Sequence, residues 1–160
     1  ITVSTAGIAN KIPDAANEIG TYLALSLHAP TDDIREMIMP INKKFKIKDL
    51  IKQCKYYSSI VKEKITLEYV MLRDINDSIE CAKQLVKLMA QFPCKINLIE
   101  FNPWPGVQYL PTERNKIEIF GKVIQEAGYV ATIRRSRGQD ILGACGQLRT
   151  ESEKKKIYKN

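Results

Sequence analysis

The stretch Ile133–Leu148, IRRSRGQDILGACGQL, places a basic cluster beside a single cysteine. Arg134, Arg135 and Arg137 crowd three guanidinium groups before Gly138, and Cys145 follows between Gly143, Ala144 and Gly146. Small neighbours allow a substrate or another backbone to come close to the sulfur. Nearby arginines favour the thiolate, which is the nucleophilic form. The competing reading is a small-residue helix turn behind a basic loop, with Cys145 a small apolar filler. Asp140 reads as the N-cap of that helix, since its carboxylate can accept from the open amides of the first turn.

Other candidate residues sit where predicted strands end, the place where parallel α/β folds put their active sites. Ser4 and Thr5 end the first strand, and Ser26 and His28 end the second. Asp74 and Asn76 follow the third, Asn102 follows the fourth, and Arg134 and Arg135 end the fifth. Each has an ordinary alternative. Serine and asparagine often cap turns, Asp74 and Asn76 lie in a DxND turn, and a lone histidine is commonly a hydrogen-bonded structural residue. Five polar ends together would suit a ligand with amine, carboxylate and ribose groups. The loop NPWPGVQY holds Trp104 between two prolines. That indole either stacks on an unpaired base or plugs the mouth of the fold.

The remaining cysteines, Cys54, Cys81 and Cys94, form no CxxC pair and no metal-ligand spacing with His28, so they read as core fillers. That usage disfavours a zinc site or a disulfide framework and suits a reducing, cytoplasmic setting. No apolar run is long enough for a membrane span, and no signal peptide is recognisable. The net charge of +7 points to an anionic partner, nucleic acid first. Residues 149–160 carry +3 of it as a basic tail, and the remaining +4 reads as spread over the body.

Positioning these residues requires alternating strands and helices. Ile1–Ser4, Tyr22–Leu27, Ile65–Leu72, Lys95–Phe101 and Tyr129–Ile133 read as strands. Helices are predicted over Ile8–Glu18, interrupted near Pro13, and over Asp32–Met39 behind Thr31. Ile47–Lys62 is amphipathic, another helix starts at Asp77 or Ser78, and Thr112–Ala127 is closed by Gly128. A last helix runs from Asp140 towards a tail at 151–160. The alternation gives an α/β fold with a parallel sheet. Neither a GxGxxG nor a GxxxxGK[ST] motif follows any strand, which weakens nucleotide-binding sheets. The expected architecture is a portion of a partial (β/α) barrel with parallel strands and outer helices, over residues 1–150. Because Ile1–Val3 already reads as strand, a larger protein is expected.

Taken in order, VSTAG, ALSLHAP, MPINKK, LEYVML, CKINLIEFNPWPG, TIRRSRG and ACGQL resemble the C-terminal part of the RlmN family, dual-specificity radical-SAM RNA methyltransferases. The resemblance covers nearly all of residues 1–150; the sister family Cfr shares the SLH and ACGQL elements. It implies methylation of carbon 2 of an adenine in 23S ribosomal RNA and in tRNA, with S-adenosyl-L-methionine and a [4Fe-4S] cluster fed by a reductant. Cys145 matches the cysteine that first accepts the methyl group, and a second, upstream cysteine resolves the RNA adduct through a transient disulfide with it. Ser4, Ser26, Leu27, His28 and Asn102 match the S-adenosylmethionine contacts. Arg134, Arg135 and Arg137 would meet RNA phosphates, an inference from charge. The cluster-binding CxxxCxxC is absent from this sequence, so this chain by itself is expected to bind no metal and to be inactive. The alternatives are a non-catalytic RNA-binding module and a Cfr-type enzyme acting on carbon 8.

Overall fold

Burial alternates residue by residue along β3, and each of the first four strands is followed by helix with an apolar, buried side. The computed structural model describes residues 1–18 and 21–135. Five strands, β1 (Thr2–Thr5), β2 (Tyr22–Ser26), β3 (Ile65–Met71), β4 (Cys94–Glu100) and β5 (Ala131–Arg134), form one sheet. The spatial order is the sequence order, and every pairing is parallel. Consecutive order without reversal is the winding of a (β/α) barrel segment, as expected, and not of a doubly wound sheet. The connecting helices are α1 (Ile12–Asn17), α2 (Asp32–Ile38), α3 (Ile47–Ile60), α4 (Ile79–Met89) and α5 (Arg114–Glu126).

One face of the sheet is packed. Ile65, Leu67, Tyr69 and Met71 are fully buried and join Leu23, Leu25, Ile96 and Leu98 in the core. Leu50, Cys54 and Tyr57 of α3, Ala82, Leu85 and Met89 of α4, and Ile117, Phe120 and Ile124 of α5 cover them. The opposite face, which also carries Ala24, Val70 and Ile99, is crossed by a polar row among the described residues. Ser26 lies beside Glu68, Glu68 beside Asn97 and Asn97 beside Thr132, a row across four strands. The Thr132 hydroxyl donates to Asn97 Oδ1 within that row.

Element ends move by a few residues for local reasons. Pro13 stands in the first turn of α1, where its missing N–H is harmless, so it starts the helix instead of interrupting it. Thr31 occupies the N-cap position of α2 without a side-chain capping bond. Ser78 caps α4 by accepting from Cys81 N–H at 3.1 Å. Thr112 stays outside α5 because its hydroxyl donates to Asp77 Oδ2 at 2.8 Å. Gly128 ends α5 at φ +96°. The helix expected from Asp140 and the tail at 151–160 lie outside the described residues.

Candidate functional site at the carboxyl edge of the sheet

Carbonyls at the ends of parallel strands have no further ladder partner and need donors from elsewhere. Arg35 of α2 supplies them. Its Nε donates to Leu27 O at 3.0 Å, and its Nη2 donates to Ala6 O at 2.7 Å and Ser26 O at 3.1 Å. Nη1 donates to Asn42 Oδ1 at 3.2 Å. Arg35 is fully buried, and burial lowers its pKa while Asp32 opposes the shift. Asp32 Oδ1 in turn accepts from Asn42 Nδ2 at 3.0 Å and from Ile47 N–H at 2.9 Å. One guanidinium thus ties the ends of β1 and β2 to α2.

His28 is the second fixed point. Its φ is +58°, a left-handed conformation uncommon for a non-glycine residue. Three groups hold it there. Its N–H donates to Glu68 O at 3.2 Å, its carbonyl accepts from Asn76 Nδ2 at 2.8 Å, and its ring Nδ1 accepts from Val70 N–H at 3.0 Å. With Nδ1 an acceptor, the ring proton sits on Nε2, which is the donor left for a ligand. Burial, then the charge of Arg35, lowers the imidazole pKa from 6.5 to about 4, so the ring is neutral at pH 7. Asn76 also donates to Val70 O and accepts from Leu72 N–H, both at 2.8 Å. The DxND segment is therefore a structural clamp. Asp74 N–H donates to Asp77 Oδ1 at 3.1 Å, and Lys116 Nζ meets the same oxygen at 3.0 Å.

The other expected residues fall around this edge. Ser4 is exposed on β1, and Ser26 is half-buried at the end of β2. Leu27 is buried; its N–H goes to Glu68 O at 3.0 Å and its carbonyl to Arg35, so it contributes packing. Asn102 is buried two residues beyond β4. Ser4 and Asn102 lie three strands apart, and by register Ser4 is level with Lys95 near the start of β4, whereas Asn102 follows its end. The structure thus gathers Ser26, Leu27 and His28 closely and sets Ser4 and Asn102 at the two sides. Arg134 and Arg135 are exposed at the end of β5. Arg137 and Cys145 lie outside the described residues.

Trp104 is 47% exposed and meets Phe101 edge-on, with ring centroids 5.7 Å apart. Val107 N–H closes a turn onto Trp104 O at 3.1 Å, with Gly106 at φ +86°. The indole is presented at the surface and is not a buried plug.

Cys54, Cys81 and Cys94 are free and buried behind the sheet. Burial pushes the Cys54 and Cys94 thiols up to about 12. No three potential metal ligands come together among the described residues. These cysteines therefore do not fit an iron–sulfur cluster, which needs convergent thiolates. Nor is a disulfide bond supported within the described residues; the transient one expected at Cys145 falls outside them. Nothing in the sequence singles out Arg35, and Asn42 stands in the MPINKK segment without a role of its own. The available signal was an arginine in the seven-residue helix after the SLH segment.

No protein-family model matches the chain. The dual-specificity RNA methyltransferase RlmN of Rhizobium meliloti is 53% identical over 155 residues, covering 96% of this chain and 38% of that protein. The RlmN of Agrobacterium fabrum is 52% identical over the same shares. Among solved structures, a radical SAM methyltransferase from Sphaerobacter thermophilus superposes with TM-score 0.88 at 39% identity, over 92% of this chain and 43% of that one. Streptococcus suis SuiB bound to S-adenosylmethionine gives TM-score 0.62 at 14% identity, over 91% and 35% of the two chains, a likeness of fold alone. The chain spans about two fifths of the length of the curated relatives it matches. With this identity over 96% of the chain, and with the motifs from VSTAG to CKINLIEFNPWPG carried on a parallel sheet of this winding, the chain belongs to the RlmN family, as its C-terminal part.

Proposed function

We propose that this chain is the C-terminal part of an enzyme that methylates carbon 2 of adenine in 23S ribosomal RNA and in tRNA. The observation that carries this reading is the rigid Ser26–Leu27–His28 turn at the carboxyl edge, locked by Arg35 and Asn76 above a polar sheet face. Its donor set suits S-adenosylmethionine. The Ser4 and Ser26 hydroxyls and the His28 Nε2–H bind carboxylate or ribose oxygens, and the Asn102 amide serves the amino-acid part. S-adenosylmethionine supplies the methyl group when bound. Cys145 would be the nucleophile that receives this methyl group, with a methyl thioether on Cys145 and S-adenosylhomocysteine as the two products. The neutral His28 ring holds its proton on Nε2 and would orient the ligand without adding a positive charge to the site.

The [4Fe-4S] cluster and its reductant find no ligands among the described residues, and the steps assigned to this chain do not run through them. Arg134, Arg135 and Arg137 meet the RNA backbone. The buried free thiols support a reducing, cytoplasmic compartment, and no helix among the described residues is long and apolar enough to cross a membrane.

The test is peptide mass spectrometry on the full-length enzyme purified from its own cells. Cleavage after Arg137 and Arg149 isolates one peptide containing Cys145. It is expected to be one methylene heavier, with the added mass on Cys145. A Cys145→Ala enzyme that still forms 2-methyladenine would overturn the reading.

A further inference from the structure

The positive charge outside the tail is not spread over the body. Between residues 43 and 64, eight lysines stand against Asp49 and Glu63, a net +6 in a chain whose total is +7. This segment is α3 and its flanks. Lys43, Lys44, Lys48, Lys52, Lys55, Lys62 and Lys64 are exposed, and among the described residues none of them forms an ion pair. Lys46 alone is paired, with Glu36 at 2.9 Å. Asp49 is engaged at the helix start, where its carboxylate accepts from Lys46 N–H at 3.2 Å. Both lysines of α5 behave differently: Lys116 meets Asp77 at 3.0 Å, and Lys122 meets Glu126 at 4.0 Å.

The geometry concentrates the charge further. Lys48, Lys52 and Lys55 are spaced i, i+4, i+7, so they lie on one face of α3 over about 10 Å of helix axis. Tyr56, 44% exposed, follows them. Helix α3 packs on α1, and α4 packs on α5, which leaves a groove of about 540 Å³ between α3 and α4. Ile47, Ile51 and Leu88 line it together with the three lysines and Asp32, whose carboxylate is engaged by Asn42 and the Ile47 amide. Such a row of unneutralised ammonium groups is complementary to a polyanion of regularly spaced charge.

We infer that the outer face of α3 is a second RNA-contact surface, remote in sequence from the arginines of residues 134–137, which grips the phosphate backbone of the RNA substrate. The inference rests on the RNA methyltransferase reading above. It assigns this face to affinity and placement, with no role in base choice.

The experiment compares full-length enzyme with the Lys48→Gln/Lys52→Gln/Lys55→Gln variant. A control neutralises Lys11, Lys83 and Lys122, so that net charge falls equally. RNA affinity is measured by fluorescence anisotropy across a salt series, thermal unfolding checks the fold, and Cys145 methylation is read in each preparation. The α3 variant is expected to bind RNA on the order of 10- to 100-fold more weakly at low salt, with a slope of log Kd on log salt reduced by roughly 2, for three lost phosphate contacts. The control is expected to keep the parent slope. An unchanged slope in a folded α3 variant whose Cys145 still carries methyl overturns the surface and leaves the enzyme reading standing. Unmethylated Cys145 in every preparation overturns the enzyme reading instead. Unchanged RNA binding with weakened capture of a polyglutamate peptide assigns the groove to an acidic protein segment and overturns the RNA inference.

Discussion

His28 is a hydrogen-bonded structural histidine on Nδ1, which leaves its Nε2–H as the ring's donor. The Val70 amide hydrogen occupies Nδ1, so protonating the ring would set two donors against each other. Burial and Arg35 add to that cost, and the folded pKa lies near 4 against 6.5 for the free side chain. The unfolded chain therefore binds the proton more readily between those values. This contribution to stability is present in full above about pH 6.5 and is lost as pH falls towards 4. The shift corresponds to about 1–3 kcal/mol once solvent screening of a half-buried ring is allowed for. Asparagine tolerates the left-handed backbone and can still accept from Val70. His28→Asn is thus expected to unfold at a urea midpoint that depends less on pH between 7 and 5 than the parent's. Parallel pH profiles would show that the folded imidazole takes up its proton as readily as the free side chain does, with no lowered pKa.

At the scale of elements, the ends of β1 and β2 depend on one guanidinium. Gly7 makes room for it: φ is +102°, and a Cβ there would stand 2.5 Å from Arg35 Nη2. Gly128 offers a matched comparison, with φ +96° and open space around the same Cβ position. Alanine at either site meets about 1–2 kcal/mol of backbone strain. Only Gly7→Ala also pushes on Arg35 and loosens the carbonyls of Ala6, Ser26 and Leu27. In the full-length enzyme, Gly7→Ala is expected to lose more stability than Gly128→Ala and to weaken S-adenosylmethionine binding by calorimetry, whereas Gly128→Ala should leave that binding unchanged. Equal effects would mean that Arg35 does not hold the turn. The helices and strands were readable because apolar periodicity is local, and their ends shifted where single side-chain bonds such as Thr112 to Asp77 decide them. Arg35 was not readable. A charged residue in a seven-residue helix looks solvent-facing until carbonyls 29 and 9 residues away are brought to it.

At the scale of the whole molecule, the sheet has two unlike faces. Parallel sheets are usually covered on both sides and read as continuous apolar runs. Here β3 reads ITLEYVM, and buried Ile65, Leu67, Tyr69 and Met71 alternate with half-buried Thr66, Glu68 and Val70. The strand itself was readable from its branched and aromatic residues, but the face each set takes was not, because that depends on the register with β2 and β4. Register settles it: Leu67 lies beside Leu25 and Ile96 under the helices, while Glu68 lies beside Ser26 and Asn97 on the polar face. The two neighbours should therefore respond oppositely to truncation. Leu67→Ala opens a cavity in a core that is fully enclosed, at a cost of about 2–5 kcal/mol. Glu68→Ala removes a side chain from the polar face, and the backbone carbonyl that receives Leu27 and His28 survives the change. Its cost should stay within about 0.5 kcal/mol. Urea unfolding of the two variants of this 160-residue chain measures both. A large loss from Glu68→Ala, comparable to that from Leu67→Ala, would mean that the second face is also packed and that the site is not open to a ligand from that side.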